Sequence, residues 1–214
     1  MAELILALDV TDKGHAVNIT RACVPHIDAV KIGYPLVLRV GLGIARDLEQ
    51  FGLPLIADFK VADIPNTNRL IADQVFAGGF YAIICHAFTG RDAVQACVDS
   101  AHNNSGECYV VAEMSHPGAT EFFHGGVAER LAQVALVCGA DGIIAPATRP
   151  ERIKKLRAVV GKKKIFAPGA GAQGGDLHAI TGIADGIIVG RAIYESANPA
   201  LVAEEYSRNC KKGP

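Results

Sequence analysis

The sequence predicts an α/β protein built as a single (β/α)8 barrel over residues 1–214, and three observations carry that expectation. Eight short apolar runs alternate with helical patterns along the whole chain. The average of about 27 residues per unit lies near the lower size limit of such a barrel. A short echo recurs in alternate units as Ala82-Ile83-Ile84, Asp141-Gly142-Ile143-Ile144 and Asp185-Gly186-Ile187-Ile188. An open doubly wound sheet shares the alternation, but no G-x-G-x-x-G follows the first run. The expected architecture is therefore a closed TIM barrel.

The strands are expected at Leu4–Leu8, Ala29–Ile32, Leu55–Phe59, Ala82–Cys85, Tyr109–Ala112, Gly142–Ala145, Lys164–Ala167 and Gly186–Val189. Helical periodicity fills Ala16–Cys23, Pro35–Gln50, Ile64–Ala77, Asp92–Asn103, Val127–Cys138, Pro150–Val160 and Asn198–Lys211. The gap at Asp176–Ile180 has room for a stub of helix only. Strands separated by helices pair in parallel through right-handed crossovers.

Hydrophobic residues make up 50% of the chain and charged residues 20%, which excludes a disordered chain. Lys and Arg number 21 against 22 Asp and Glu, so no general attraction to nucleic acid or an anionic membrane is expected. No apolar run is long enough to span a bilayer, and no basic signal region follows Met1. Six Cys at irregular spacings, with no C-x-x-C, read as reduced and buried thiols of a cytoplasmic protein.

In such barrels the chemistry sits at the carboxyl ends of the strands. Side chains two apart share a strand face. In strand one, Leu4, Leu6 and Leu8 should meet the helices, leaving Ile5, Ala7 and Asp9 inward. Strand two then presents Ala29, Lys31 and Gly33, and strand three Ile56, Asp58 and Lys60, with Asp63 just beyond. Two lysines and up to three aspartates are thus expected to converge on one rim. The alternative is a ring of structural ion pairs, with Asp63 capping the helix that starts at Ile64-Pro65. Desolvation of several kcal/mol per ion weighs against charges placed inside a barrel without a task.

An inward lysine can act as a Schiff-base nucleophile or as an ammonium proton donor. Carboxylates beside it favour the charged form, whereas a Schiff-base lysine needs apolar or cationic surroundings. Lys60, with two aspartates close in sequence, reads as an ammonium acid. Carboxylates there would also repel an anionic substrate group by ~4 kcal/mol at ~4 Å and an effective dielectric near 20. Such a site suits loss of a carboxylate and protonation of the vacated carbon.

Gly-rich residues 168–176 follow strand seven, and Gly190-Arg191 follow strand eight. Both fall where barrels bind phosphate: glycines let N–H groups approach an anion, a helix start adds its dipole, and Arg191 can fork onto phosphate. The plain alternative is a flexible turn beside a surface arginine. After strand five, Glu113-Met114-Ser115-His116-Pro117-Gly118 offers the Ser115 hydroxyl to a polar ring, or is simply a loop. Among seven His none forms a spaced ligand pair, and His86 at the end of strand four reads as a satisfied structural residue. No metal site is expected.

Asp58-Phe59-Lys60-Val61-Ala62-Asp63-Ile64-Pro65-Asn66-Thr67 resembles the D-x-K-x-x-D-I-P-x-T signature of the orotidine 5′-monophosphate decarboxylase family. The resemblance spans the chain through Leu8-Asp9, Val30 to Gly33, Glu113 to Gly118, Pro168 to Gly175 and Val189-Gly190-Arg191. Its compact length and Lys31-Ile32-Gly33-Tyr34-Pro35 look like the archaeal branch. The resemblance implies a cofactor-free homodimer acting on orotidine 5′-monophosphate. In it Lys31, Asp58, Lys60 and Asp63 form an alternating charge network, with Asp63 donated across the interface. Lys60 would protonate C6, and Asp58 would face the substrate carboxylate. Asp9 and Lys31 would hold the ribose with Thr67 of the second subunit, Ser115 would read the pyrimidine amide edge, and Gln173, Gly190 and Arg191 would bind phosphate. The nearest rival is a magnesium-dependent sugar-phosphate decarboxylase or synthase of the same superfamily. Those relatives carry an acidic metal ligand on strand two where this chain has Lys31, which would repel the cation.

Overall fold

The computed structural model describes residues 2–171, 174–175 and 177–211. Eight strands, β1 (Glu3–Leu8), β2 (Ala29–Gly33), β3 (Leu55–Val61), β4 (Ala82–His86), β5 (Glu107–Val111), β6 (Gly142–Ile144), β7 (Lys164–Pro168) and β8 (Gly186–Val189), close in sequence order into a barrel. All pairs are parallel, and β1 closes the ring through Ile5 opposite Ile188.

The alternation along β1 sorts as expected. Leu4, Leu6 and Leu8 join the layer between strands and helices, while Ile5 and Ala7 fill the interior with Ile56, Ile84, Tyr109 and Phe166. Tyr109 and Phe166 pack 4.7 Å apart between ring centroids and plug the middle of the barrel. A plugged barrel leaves its carboxyl mouth as the open end.

Helix α1 (Lys13–Cys23) begins before the expected Ala16, because Asp12 accepts the His15 N–H at 2.6 Å and caps it. The single helix expected over Pro35–Gln50 is two: α2 (Tyr34–Val40) and α3 (Ile44–Glu49). Gly41 breaks it at φ 80°, a conformation open to glycine at little cost. Then follow α4 (Pro65–Ala77), α5 (Arg91–Asn103), the short α6 (Thr120–Phe123), α7 (Val127–Val137) and α8 (Pro150–Val160). Three close the chain: α9 (Leu177–Ile180), α10 (Arg191–Tyr194) and α11 (Pro199–Lys211). The β5 exit, where no helix is expected from the sequence, carries a 3-10 turn at Pro117–Ala119 and then α6.

All six cysteines are free and buried. Among the described residues no helix is long and apolar enough to cross a membrane.

Phe166 is 1% exposed, so Phe166→Ala should lower stability by about 3–5 kcal/mol. A fall in the urea midpoint at unchanged slope would show it.

Candidate active site

A cavity of about 330 Å³ opens at the carboxyl ends of the strands. Four of the five expected rim charges line it. Ala7 pairs with Lys31 and Gly33 with Asp58, so the barrel register brings β1, β2 and β3 side chains level. Lys31 Nζ bonds one Asp58 oxygen, and Lys60 Nζ donates to the other at 2.6 Å. Asp9 Oδ1 lies 3.8 Å from Lys31 Nζ. Gly33 permits this approach, because a Cβ there would stand 2.5 Å from Asp9 Oδ1.

Burial alone would push the Asp58 carboxyl up, but the Lys31 and Lys60 ammoniums hold it below the usual carboxylate range. Burial likewise works to lower Lys31, and Asp58 and then Asp9 overcome it and raise its pKa. The array is thus an ordered row, Asp9–Lys31–Asp58–Lys60, whose central Lys31–Asp58 pair is charged at neutral pH.

Lys60 reaches the cavity by a different backbone route from simple alternation. The β3–β4 register shifts between Ala57 and Val61, and Lys60 sits at φ 44°. A left-handed non-glycine residue in a strand costs of order 1–3 kcal/mol and persists only where its surroundings over-determine it.

Asp63 does not join the row within one chain. Its side chain is exposed, accepts the Ile64 N–H at 2.7 Å, and borders a separate surface hollow with Pro65, Thr89 and Asp92. Thr67, half-buried on α4, is also absent from the cavity lining. Asn68, which sequence reasoning passed over, pins this loop. It is wholly buried, accepts the Asp63 N–H at 2.9 Å, and donates to the Ala93 carbonyl at 2.9 Å. Its signal was available: Asn68 occupies an apolar-stripe position with Ala72, Val75 and Phe76.

On the opposite side of the mouth the lining comprises Pro168, Gly169, Ala170, Gly190 and Arg191. Gly169 and Gly171 take φ 101° and 80°. A side chain at Gly171 would also collide with the Tyr206 hydroxyl. The helix after β8 is a single turn, so its dipole is small and the exposed Arg191 is the principal cation here. Gln173 lies outside the described residues.

Ser115 lines the cavity between these ends, with Met114 and His116 beside it. His86 is buried as expected of a structural residue, yet its Nδ1 has no partner among the described residues. Burial, and next the Lys60 charge, push its pKa down to about 4, leaving it neutral. Among the described residues no group of three or more His, Cys, Asp and Glu could hold a metal.

A closed (β/α)8 barrel with an alternating Lys–Asp row at its carboxyl mouth defines a class, the barrel enzymes that work at a charged rim. The family model described as Orotidine 5'-phosphate decarboxylase / HUMPS family matches residues 2–206, and the chain belongs to that family. It is 52% identical over 204 residues to the orotidine 5'-phosphate decarboxylase of Methanosarcina acetivorans, covering 94% of this chain and 91% of that protein. It is 47% identical over 205 residues to the Thermococcus kodakarensis protein of the same name, covering 94% and 93%. The crystal structure of orotidine 5'-monophosphate decarboxylase from Methanocaldococcus jannaschii complexed with inhibitor BMP superposes with a TM-score of 0.95 at 42% identity, covering 99% of this chain and 100% of that one. The likeness to archaeal proteins agrees with the branch expected from the sequence.

The opposed pKa displacements set a pH window. Asp58, held low, contributes stability above its unfolded value of ~3.9 that is lost as pH falls through the folded value. Lys31, held high, contributes below ~10.4 and loses that contribution as pH rises through its folded value. Between those limits the pair's contribution is flat. Asp58→Asn should therefore destabilise the protein at pH 7 and make its acid limb shallower. Urea midpoints collected from pH 2 to 7 would test this, and an acid limb as steep as the parent's would refute it.

Proposed function

We propose that the chain, working as one barrel domain, converts orotidine 5′-monophosphate to uridine 5′-monophosphate and carbon dioxide, a step of pyrimidine biosynthesis, without metal or organic cofactor. The observation that carries this reading is the Asp58 carboxylate held between two lysines inside the cavity, with Lys60 at its open edge.

As the C6–carboxylate bond breaks, carbon dioxide leaves and the electron pair stays on C6. The Lys60 ammonium faces that charge and then transfers a proton to C6, becoming an amine that solvent reprotonates. Preplaced charge of this kind acts in a water-poor site without reorganising during reaction. Asp58 would lie against the departing carboxylate. Asp9 and Lys31 would hold the ribose hydroxyls, and Ser115 would read the pyrimidine amide edge. Gly190, Arg191 and Gln173 would bind the phosphate, whose binding energy can help assemble the site.

A homodimer completes the proposal, with the partner subunit's Asp63 extending the charge row and the partner subunit's Thr67 reaching the ribose. What supports it is the placement of large exposed apolar residues: Tyr34, Ile64, Phe88 and Phe122, 48–74% exposed, follow the ends of four consecutive strands. Apolar surface gathered on one rim suits an interface. The magnesium-dependent sugar-phosphate reading is the less favoured one, because Lys31 lies in the cavity and would oppose a divalent cation.

Loss of orotidylate absorbance should proceed equally with and without EDTA. Lys60→Ala should abolish that loss while uridine 5′-monophosphate still binds. Turnover retained by Lys60→Ala would remove Lys60 as the acid, and chelator-sensitive turnover would favour the sugar-phosphate branch.

A further inference from the structure

Glu113 follows β5 and its side chain is completely withdrawn from water. A buried carboxylate needs charged hydrogen-bond partners. Arg149 Nε donates to one Glu113 oxygen at 3.1 Å, and Arg152 Nε donates to the other at 2.7 Å. Arg152 spends its remaining nitrogens as a fork on Glu129 of α7, at 3.0 and 3.1 Å. Arg149 instead turns a second nitrogen to the Met114 carbonyl. Next to it, the Thr148 hydroxyl donates to the Ser115 carbonyl at 3.0 Å.

Glu113, Arg152 and Glu129 alone would tie β5 to α7 and α8. The Arg149 branch carries that anchor to the Met114–Ser115 peptide, whose residues border the cavity. In a trans peptide the C=O and N–H point in opposite directions, and no described peptide is cis. With the Met114 carbonyl drawn to Arg149, the Ser115 N–H points away from the arginines. The cavity is lined by Met114, Ser115 and His116 and not by Arg149, so an N–H turned away from Arg149 is available to it. With the Ser115 carbonyl held by Thr148, the rim here offers a donor N–H and a hydroxyl in place of bare carbonyls.

We propose that Glu113 is a positioning residue for base recognition, acting through Arg149 to set the Met114–Ser115 peptide against a pyrimidine amide edge. This rests on the function proposed above. Its substrate class follows: a ring whose carbonyl accepts from the Ser115 N–H, in contrast to a sugar phosphate, which has no such edge.

The test compares uridine 5′-monophosphate with ribose 5-phosphate, which shares sugar and phosphate but lacks the base. Glu113→Gln should weaken the nucleotide by about tenfold or more, the scale of a lost buried hydrogen-bond partner, and leave ribose 5-phosphate nearly unchanged. A merely structural role would weaken both alike, and that outcome, or no change in either, would overturn the proposal. If Glu113→Gln fails to fold, Arg149→Met gives the same reading, because Glu113 keeps Arg152; the same two outcomes would overturn it there. A parent protein that neither binds uridine 5′-monophosphate nor consumes orotidylate would overturn the proposed function and this inference with it. A fully active parent whose variants keep the parent's nucleotide-to-sugar ratio would overturn this inference alone.

Discussion

One carboxylate governs the mouth of this barrel. Asp58 is 9% exposed and bonded on both oxygens by lysines that reach it from β2 and from its own strand. Removing Asp58 would leave the buried Lys31 with only Asp9, 3.8 Å away, and breaking a buried pair of this kind typically costs about 3–5 kcal/mol. The array therefore constrains what surrounds it. Position 33 must be small so that Asp9 can approach, and the end of β3 must bend to bring Lys60 alongside Asp58. The left-handed backbone at Lys60 is the local cost of a lysine that both pairs with Asp58 and faces open cavity.

Most of this frame is legible in the chain because a barrel strand repeats every two residues. That period placed Ile5, Ala7, Lys31, Ile56 and Asp58 on the inner side, and parallel register levelled them. It could not anticipate the shift between Ala57 and Val61, since a bulge preserves composition and changes only pairing. Nor does the helical period betray a break that two glycines impose: Gly41 and Gly43 interrupt an apolar stripe that otherwise continues from α2 into α3. The supporting residues, Asn68 and Glu113, went unread for a related reason. Asn68 is a polar residue at a position the apolar helical pattern claims, Glu113 lies past the end of the expected fifth strand, and the role of each depends on partners 25 to 39 residues away in sequence.

Asp63 marks the boundary between what one chain determines and what an assembly would add. Spacing from Lys60 suggests convergence, yet the chain turns at Ile64-Pro65, and Asp63 stays on the outer face of that turn. Asn68 holds it there from inside helix α4. A loop pinned this firmly, carrying an exposed carboxylate and an exposed isoleucine, is shaped to be presented outward. Within the proposed dimer that same rigidity would deliver the charge to a neighbour's cavity without ordering on contact.

The geometry also ranks two electrostatic contributions to the proposed reaction. Repulsion between Asp58 and a substrate carboxylate would raise the ground state, and at an effective dielectric near 20 a bare pair at ~4 Å is worth ~4 kcal/mol. Asp58 is far from bare, because each of its oxygens already faces an ammonium. The substrate would meet the field of Asp9, Lys31, Asp58 and Lys60 together, two carboxylates against two ammoniums, so repulsion is much reduced. The ammonium of Lys60, at the open edge of the row, would interact more strongly as charge moved from the carboxylate onto C6 beside it. With both Asp58 oxygens already facing lysines, the row would be better suited to stabilising the proposed carbanion than to straining its precursor.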